Sequence, residues 1–185
     1  MNTSAFGGQA VMHYFEQCRL VAYPDPGSPL ARALAAAGLK WLGSVPTSMR
    51  GLSGAPWTIG WGDTGPDVVE GLAVTQEWAD ARFAHRLANE FEPGVRVALV
   101  SVPTQSQFDA MVCLAYNIGV DAFKTSTVVR RFNQGDLTGA ADAILMWHKS
   151  KGISLLGLRR RRAAERALFL GASGEQAIAI GKRAV

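Results

Sequence analysis

Residues 57–62 read WTIGWG, and this short run decides the class of fold. Aromatic and β-branched residues suit a pleated strand, and glycine at 60 and again at 62 marks a tight turn at its end. The run predicts one strand of a small sheet. Almost everything after it reads as helix. Thr75 is placed to cap QEWADARFAHRLANEFE, with Glu77 in the first turn and Pro93 as the expected end. Thr104 and Gln107 have capping-box spacing. They open a helix on which Phe108, Met111, Val112, Ala115 and Ile118 recur at helical intervals, the expected centre of the core. Shorter helices are expected over Ser126–Phe132, Asp136–Trp147 and Leu158–Leu170, the last closed by Gly171. A small sheet followed by a run of helices makes a segregated α+β fold.

Upstream of the strand, Val11, Met12 and Phe15 mark a short amphipathic helix with Glu16 near its C-terminal end. YPDPG at 23–27 breaks it, since Pro24 and Pro26 push Tyr23 and Asp25 toward extended backbone. Residues 26–57 begin and end on turn residues and contain LARALAAAGLKWLG, a short helix interrupted at Gly38. This segment carries Arg32, Lys40 and Arg50 and no acid. Residues 172–185 have a weaker pattern and are expected to form a loose C-terminal extension.

The chain has 185 residues, enough for one domain with a working core, with room for two lobes. Apolar residues make up 48%, which excludes wholesale disorder, and no eighteen-residue apolar run exists to form a conventional membrane span. Cys18 and Cys113 cannot make a disulfide scaffold and are expected as free thiols, Cys113 buried in its helix. The start MNTSAFGGQAVMHYF lacks the basic and apolar regions of a secretion signal, so a cytoplasmic first location is expected. Charge is uneven. Residues 1–148 hold 10 basic and 13 acidic side chains; residues 149–185 hold 9 and 2. Such a basic end attracts polyanions. The RRRR run at 159–162 lies inside an amphipathic helix without any accompanying nucleic-acid motif, so no nucleic-acid partner is expected. His13, His85 and His148 fall in separate segments, and neither HxxxH nor CxxC occurs, which argues against a zinc peptidase.

Glycosidic bonds are usually cut by two carboxyl groups, one donating a proton to the leaving oxygen and one activating water or attacking directly. Glu16 at a helix end and Asp25 beyond the proline-flanked turn are a candidate pair, although acid pairs at this spacing are common on surfaces. The blocks around them add weight. Phe15-Glu16 with Asp25, then WTIGWGDT, TQSQFDAMVCLAYNIG, STVVRRFNQGD and GLRRRRAAERALF follow in order over about residues 10–170. Together they resemble the phage-type lysozymes of glycoside hydrolase family 24, which include many endolysins.

That resemblance implies a lysozyme-like domain over 1–171. It would have a small N-terminal lobe with a short antiparallel sheet, a larger helical C-terminal lobe and a cleft between. It implies a muramidase that cleaves the β-1,4 bond between N-acetylmuramic acid and N-acetylglucosamine, with no metal or cofactor. Glu16 matches the general acid, Asp25 the second carboxylate, and Thr58 the hydroxyl that helps hold the attacking water. Inversion at the anomeric carbon would set the carboxyl groups about 6.5–9.5 Å apart. Asn117 matches a cleft-lining, sugar-binding position, with a turn role beside Gly119 as the alternative. Trp57 and Trp61, flanking Thr58, are candidates for sugar stacking. Arg161 matches an arginine that approaches the catalytic glutamate, unless it only ties the first and last helices together. Arg159, Arg160 and Arg162 are expected mostly in solvent.

Two departures stand out. Residues 26–57 separate Asp25 from Thr58, where compact members have only a few residues. The insertion would loop out as a lid, a saccharide rim, an envelope-contacting patch or a plain surface loop. Asp63 stands where the family usually has histidine, a change read as structural. The expected partners are peptidoglycan and an anionic outer-membrane surface, with holin-dependent release from the host cytoplasm to the periplasm. The competing readings are an inactive lysozyme-fold wall-binding module and a lytic transglycosylase.

Overall fold

The computed structural model describes all residues, 1–185, and divides them into two compact units: Met1–Phe15 with Arg86–Val185, and Glu16–His85. The expected boundaries, 1–171 and 172–185, do not coincide with this division. No helix is long and apolar enough to cross a membrane.

In the first unit, a π-helical turn at Ala5–Gln9 runs into α1 (Ala10–Phe15). After α3 (Gln76–Arg86), a second π-helical turn at Leu87–Phe91 leads into α4 (Glu92–Ala98). Pro93 does not end the helical run as expected; it sits in the first turn of α4. There its missing N–H costs nothing, because first-turn donors have no intrahelical acceptor anyway. α5 (Gln105–Ile118) starts on the expected capping box and buries Phe108, Met111, Val112 and Ala115, with Ile118 half-buried. α6 (Val120–Lys124), α7 (Thr127–Asn133) and α8 (Leu137–Ile144) follow, the last two capped by Ser126 and Asp136. A two-stranded ladder, β3 (Lys149–Ser150) with β4 (Ile153–Ser154), precedes α9 (Leu156–Phe169), which packs on α5.

The tail is the clearest correction in this unit. Residues 172–185 are not a loose extension. Ser173 and Gln176 form a capping box for α10 (Gly174–Arg183), which lies along α9 with Ala177 fully buried. The apolar side chains facing α9 are small, so the pattern looked weak although the contact is close. The other end of the chain is held by buried acids. Thr3 N donates to Glu92 Oε1 at 2.8 Å, and Asp109 accepts from Ser4 N at 2.9 Å and Gly8 N at 3.2 Å. Cys113 is buried with its thiol donating to Gly8 O at 3.2 Å, and burial pushes its pKa well up, so it stays a thiol.

In the second unit, β1 (Arg19–Pro24) pairs antiparallel with β2 (Trp57–Gly60), giving the predicted small sheet. The register places Tyr23 opposite Thr58 and Pro24 opposite Trp57, with an irregularity between Arg19 and Tyr23. On the other side of β1, Ala22 N donates to Leu72 O and Val74 N to Leu20 O. Thr75 caps α3 (Gln76–Arg86) as expected, its hydroxyl accepting from Trp78 N at 3.2 Å.

The 26–57 insertion is not simply looped out. Ser28 is buried and caps α2 (Pro29–Ala36), which buries Leu30 and Leu34. The helix stops at Gly38 as expected, with Leu39 N bonded back to Leu34 O at 2.9 Å. Leu30 N donates to Ser53 O, and Trp41 Nε1 donates to Ala22 O at 2.9 Å, so both arms of the insertion are tied down. Leu39 and Leu42 are exposed. Ala22, Ile59 and Val68 form the unit's small core, flanked by Trp57, Leu72, Val74 and Trp78.

Candidate active site

The three residues of the candidate triad all belong to the second unit. Glu16, half-buried, follows the last residue of α1. Its carboxyl group rests on the turn after β2. A Cβ on Gly62 would stand 3.4 Å from Glu16 Oε2 and 3.8 Å from its Cδ. Gly62 has φ of +91°, a backbone conformation that favours glycine, and the Glu16 carboxylate would meet a side chain there at ordinary contact distance.

Asp25 continues the line of β1. Its N–H lies 3.0 Å from Gly54 O and 3.2 Å from Pro56 O. Gly54 makes this approach possible, because a Cβ there would fall 2.6 Å from Trp57 Cζ2 and 3.0 Å from Pro24 Cβ. The Asp25 carboxylate is oriented by its own turn, Oδ1 accepting from Gly27 N at 2.7 Å and the main-chain oxygen from Ser28 N at 2.8 Å. The insertion therefore supplies main-chain groups that hold Asp25, a role its composition did not announce.

Thr58 is buried on β2 directly across from Tyr23. Opposed residues of an antiparallel pair project to the same face, so Tyr23 and Thr58 share one face of the sheet, and Asp25 follows just past the end of β1. Tyr23 is half-buried. Burial raises its pKa first and the Glu16 carboxylate second. The Thr58 hydroxyl and the Arg19 cation pull it down, and Asp25 adds a smaller upward push. Tyr23 thus keeps its proton at neutral pH. Sequence reading missed Tyr23. Its spacing of two from Asp25 was visible, but its pairing with Thr58 depends on sheet register.

Asp63 has a definite structural role. Its main chain closes the turn with Ile59, with two bonds of 2.9 Å. Its Oδ2 pairs with Arg82 Nε at 2.5 Å, while Arg82 Nη1 and Nη2 hold Asp67 at 2.6 and 2.7 Å. Where the family resemblance expects histidine, this chain uses an acid and supplies the cation from α3.

The two tryptophans differ. Trp57 packs on the small core and against Trp41, ring centroids 5.4 Å apart. Trp61 is half-buried, its Nε1 donating to Asp80 Oδ1 at 2.7 Å, with Phe83 at 6.3 Å.

Asn117 and Arg161 belong to the first unit. Asn117 Oδ1 accepts from Arg162 Nη2 at 2.9 Å. Arg161 is buried, and its Nε donates to Glu165 Oε1 at 3.1 Å. Arg162 is fully buried rather than in solvent, with its Nε 3.0 Å from Glu165 Oε2. The reason lies on the same helix: Glu165, three residues on and fully buried, supplies the carboxylate that a buried guanidinium requires. Arg159 and Arg160 are exposed as expected.

Comparison with known proteins now adds a family. The Phage lysozyme family matches residues 40–165, more than half of the chain. The chain belongs to the phage lysozyme family. The matched span takes in Thr58, Asp63, Asn117 and Arg161 and begins after Glu16 and Asp25. Among curated relatives, the chain is 42% identical over 114 residues to an endolysin of Bacillus phage B103, covering 62% of this chain and 43% of that protein. It is 39% identical over 118 residues to an endolysin of Acyrthosiphon pisum secondary endosymbiont phage 1, covering 61% and 79%. The chain spans about half the length of the Bacillus phage endolysins it matches, 43% and 53%. Among solved structures it is similar to the muramidase domain of SpmX from Asticaccaulis excentricus, with 32% identity and a TM-score of 0.69. That similarity covers 89% of this chain and 95% of the other. A mixed helical fold with a small two-stranded antiparallel sheet, β1 with β2, is what the chain shares with such neighbours.

Proposed function

We propose that this member of the phage lysozyme family is a muramidase. It hydrolyses the β-1,4 bond between N-acetylmuramic acid and N-acetylglucosamine in peptidoglycan and serves as an endolysin in host lysis. The observation that carries the reading is the placement of the three residues around one small sheet: buried Thr58 lies across from Tyr23, Asp25 follows two residues after Tyr23 and is held by Gly54 O and Pro56 O, and the Glu16 carboxylate lies against Gly62 in the turn after β2.

Glu16 donates its proton to the glycosidic oxygen as the bond to the anomeric carbon breaks. Asp25 and Thr58 hold a water on the opposite face of the sugar. The water oxygen bonds to the anomeric carbon and Asp25 takes the released proton, which gives inversion. Exchange with solvent then returns a proton to Glu16 and removes one from Asp25. Exposed Lys149, Lys151, Arg159, Arg160, Lys182 and Arg183 favour contact with an anionic wall or outer-membrane surface, an attraction that added salt weakens. The enzyme waits in the host cytoplasm and reaches the periplasmic peptidoglycan when a holin opens the inner membrane.

Purified peptidoglycan tests the reading. The wild type should clear a suspension and release reducing muramic ends, while Glu16→Gln stays folded and loses about 10²–10⁴ in rate. An anhydro product would replace hydrolysis by lytic transglycosylation. Binding without turnover would make the chain a wall-binding module.

A further inference from the structure

We infer that Arg32, on the inserted helix α2, is a positioning residue for Asp25: its guanidinium holds the Gly27 carbonyl and so steadies the residue whose N–H orients the Asp25 carboxylate. The inference rests on the muramidase reading, in which Asp25 takes a proton from water, and it adds to the site a residue that the triad leaves out.

The argument begins with PDPGS at 24–28. Pro24 and Pro26 each lock their own φ, and Pro26 also restricts Asp25 before it. Gly27 is the loose point of the turn, because glycine has the widest choice of backbone angles. Yet Gly27 N is the group that donates to Asp25 Oδ1, at 2.7 Å. A carboxylate that must meet a water with one oxygen is better aimed when its other oxygen is held, so the freedom of Gly27 bears directly on the chemistry.

The fold removes that freedom from both ends of the next peptide group. Ser28 N donates to Asp25 O at 2.8 Å. Gly27 O accepts from Arg32 Nε at 3.0 Å and from Arg32 Nη2 at 2.5 Å. Two charged donors of one planar fork on a single oxygen fix direction as well as distance. Arg32 is itself well seated, because its helix starts in the same turn. Ser28 Oγ accepts from Ala31 N at 3.1 Å, and Ser28 O accepts from Arg32 N at 3.1 Å. Buried Leu30 and Leu34 fasten that helix. The route from α2 to the carboxylate is therefore short: Arg32 to Gly27 O, then Gly27 N to Asp25 Oδ1. Arg32 does not touch the reacting atoms in this account; it acts through Asp25.

The test is steady-state hydrolysis of soluble, peptide-free peptidoglycan glycan strands. Arg32→Met keeps a long stem and removes the donors. Its kcat should fall about tenfold with KM within about twofold. Adding Arg32→Met to Asp25→Asn should lower the residual rate by less than about twofold, because both changes act on one carboxylate. If Arg32→Met folds poorly, Arg32→Lys, whose single ammonium replaces the two-donor fork, should show a smaller loss, again confined to kcat. Wild-type kcat in the variant measured, or an equal tenfold loss in the Asp25→Asn background, would overturn the inference. So would a loss that falls mainly on KM, which would make Arg32 a substrate contact instead. Asp25→Asn run alone separates the two failures. A nearly inactive Asp25→Asn beside a fully active Arg32→Met removes only the role of Arg32. An Asp25→Asn as active as the wild type, or a wild type that releases no reducing ends, removes the muramidase reading and the inference with it.

Discussion

Glu165 and Asp63 are both acids paired with arginine, yet they sit in very different surroundings. Glu165 lies in the helical unit, is fully buried, and holds Arg161 and the equally buried Arg162. The same unit buries large apolar side chains such as Met111, Leu114 and Leu168. Asp63 lies in the unit of residues 16–85, where the named core is Ala22, Ile59 and Val68 and the partner Arg82 reaches out to exposed Asp67. One unit is held by burial, with an ion cluster enclosed in the core. The other is held by turns, caps and main-chain bonds around a small core. The difference has a physical basis: a unit with little apolar volume must use specific polar contacts to fix its backbone. The same contacts that fix the backbone also aim Asp25 and Thr58.

Breaking the buried cluster should have the largest effect on stability. Glu165→Gln leaves two guanidinium groups without their shared carboxylate and should cost about 3–5 kcal/mol, measured by urea unfolding. A cost below 1 kcal/mol would mean that the two arginines do not rely on Glu165, and the contrast would fail.

A smaller, local effect is expected in the other unit. Gly54→Ala puts a methyl group into Trp57 and Pro24 and should cost about 1–3 kcal/mol. Because Gly54 O holds Asp25 N, hydrolysis should fall more than the loss of folded protein explains. Equal falls in activity and in folded fraction would separate Gly54 from the site.

The smallest effect belongs to the exposed end of the arginine clamp. The Arg82 hydrogen bond, with a main-chain bond second, holds the Asp67 carboxyl below its usual range. A depressed folded pKa stabilises the fold above the unfolded value, near 4, and that contribution disappears as pH falls through the folded value. Asp67→Asn should therefore lower Tm slightly at pH 7 and leave it unchanged near pH 2. A loss at pH 7 as large as that of Glu165→Gln would erase the distinction between buried and exposed clamps.

Much of this was legible along the chain. Capping residues Thr75, Thr104, Ser126 and Asp136 act locally, through backbone groups three residues away, and each opens its helix as its spacing predicts. The strand at 57–60 and the core face of α5 were also readable, because period and residue type carry them. α10 was not, since a helix of small residues such as Ala177 and Gly181 shows its purpose only against the surface of α9. Arg162 misled in the opposite way. A guanidinium reads as surface unless the fold encloses it together with its acid.

The amino-acid sequence by itself determined which residue types were available for chemistry: Glu16 at a helix end, Asp25 between prolines and Thr58 in a β-prone run. It also determined that helices would follow a small sheet, because those choices depend on neighbours within a few residues. Only the tertiary structure decided that Tyr23 lies opposite Thr58, that Gly54 holds Asp25 and that Glu16 rests on Gly62. Strand register and close backbone approach depend on groups up to 46 positions apart (Glu16 to Gly62), and no local preference specifies them.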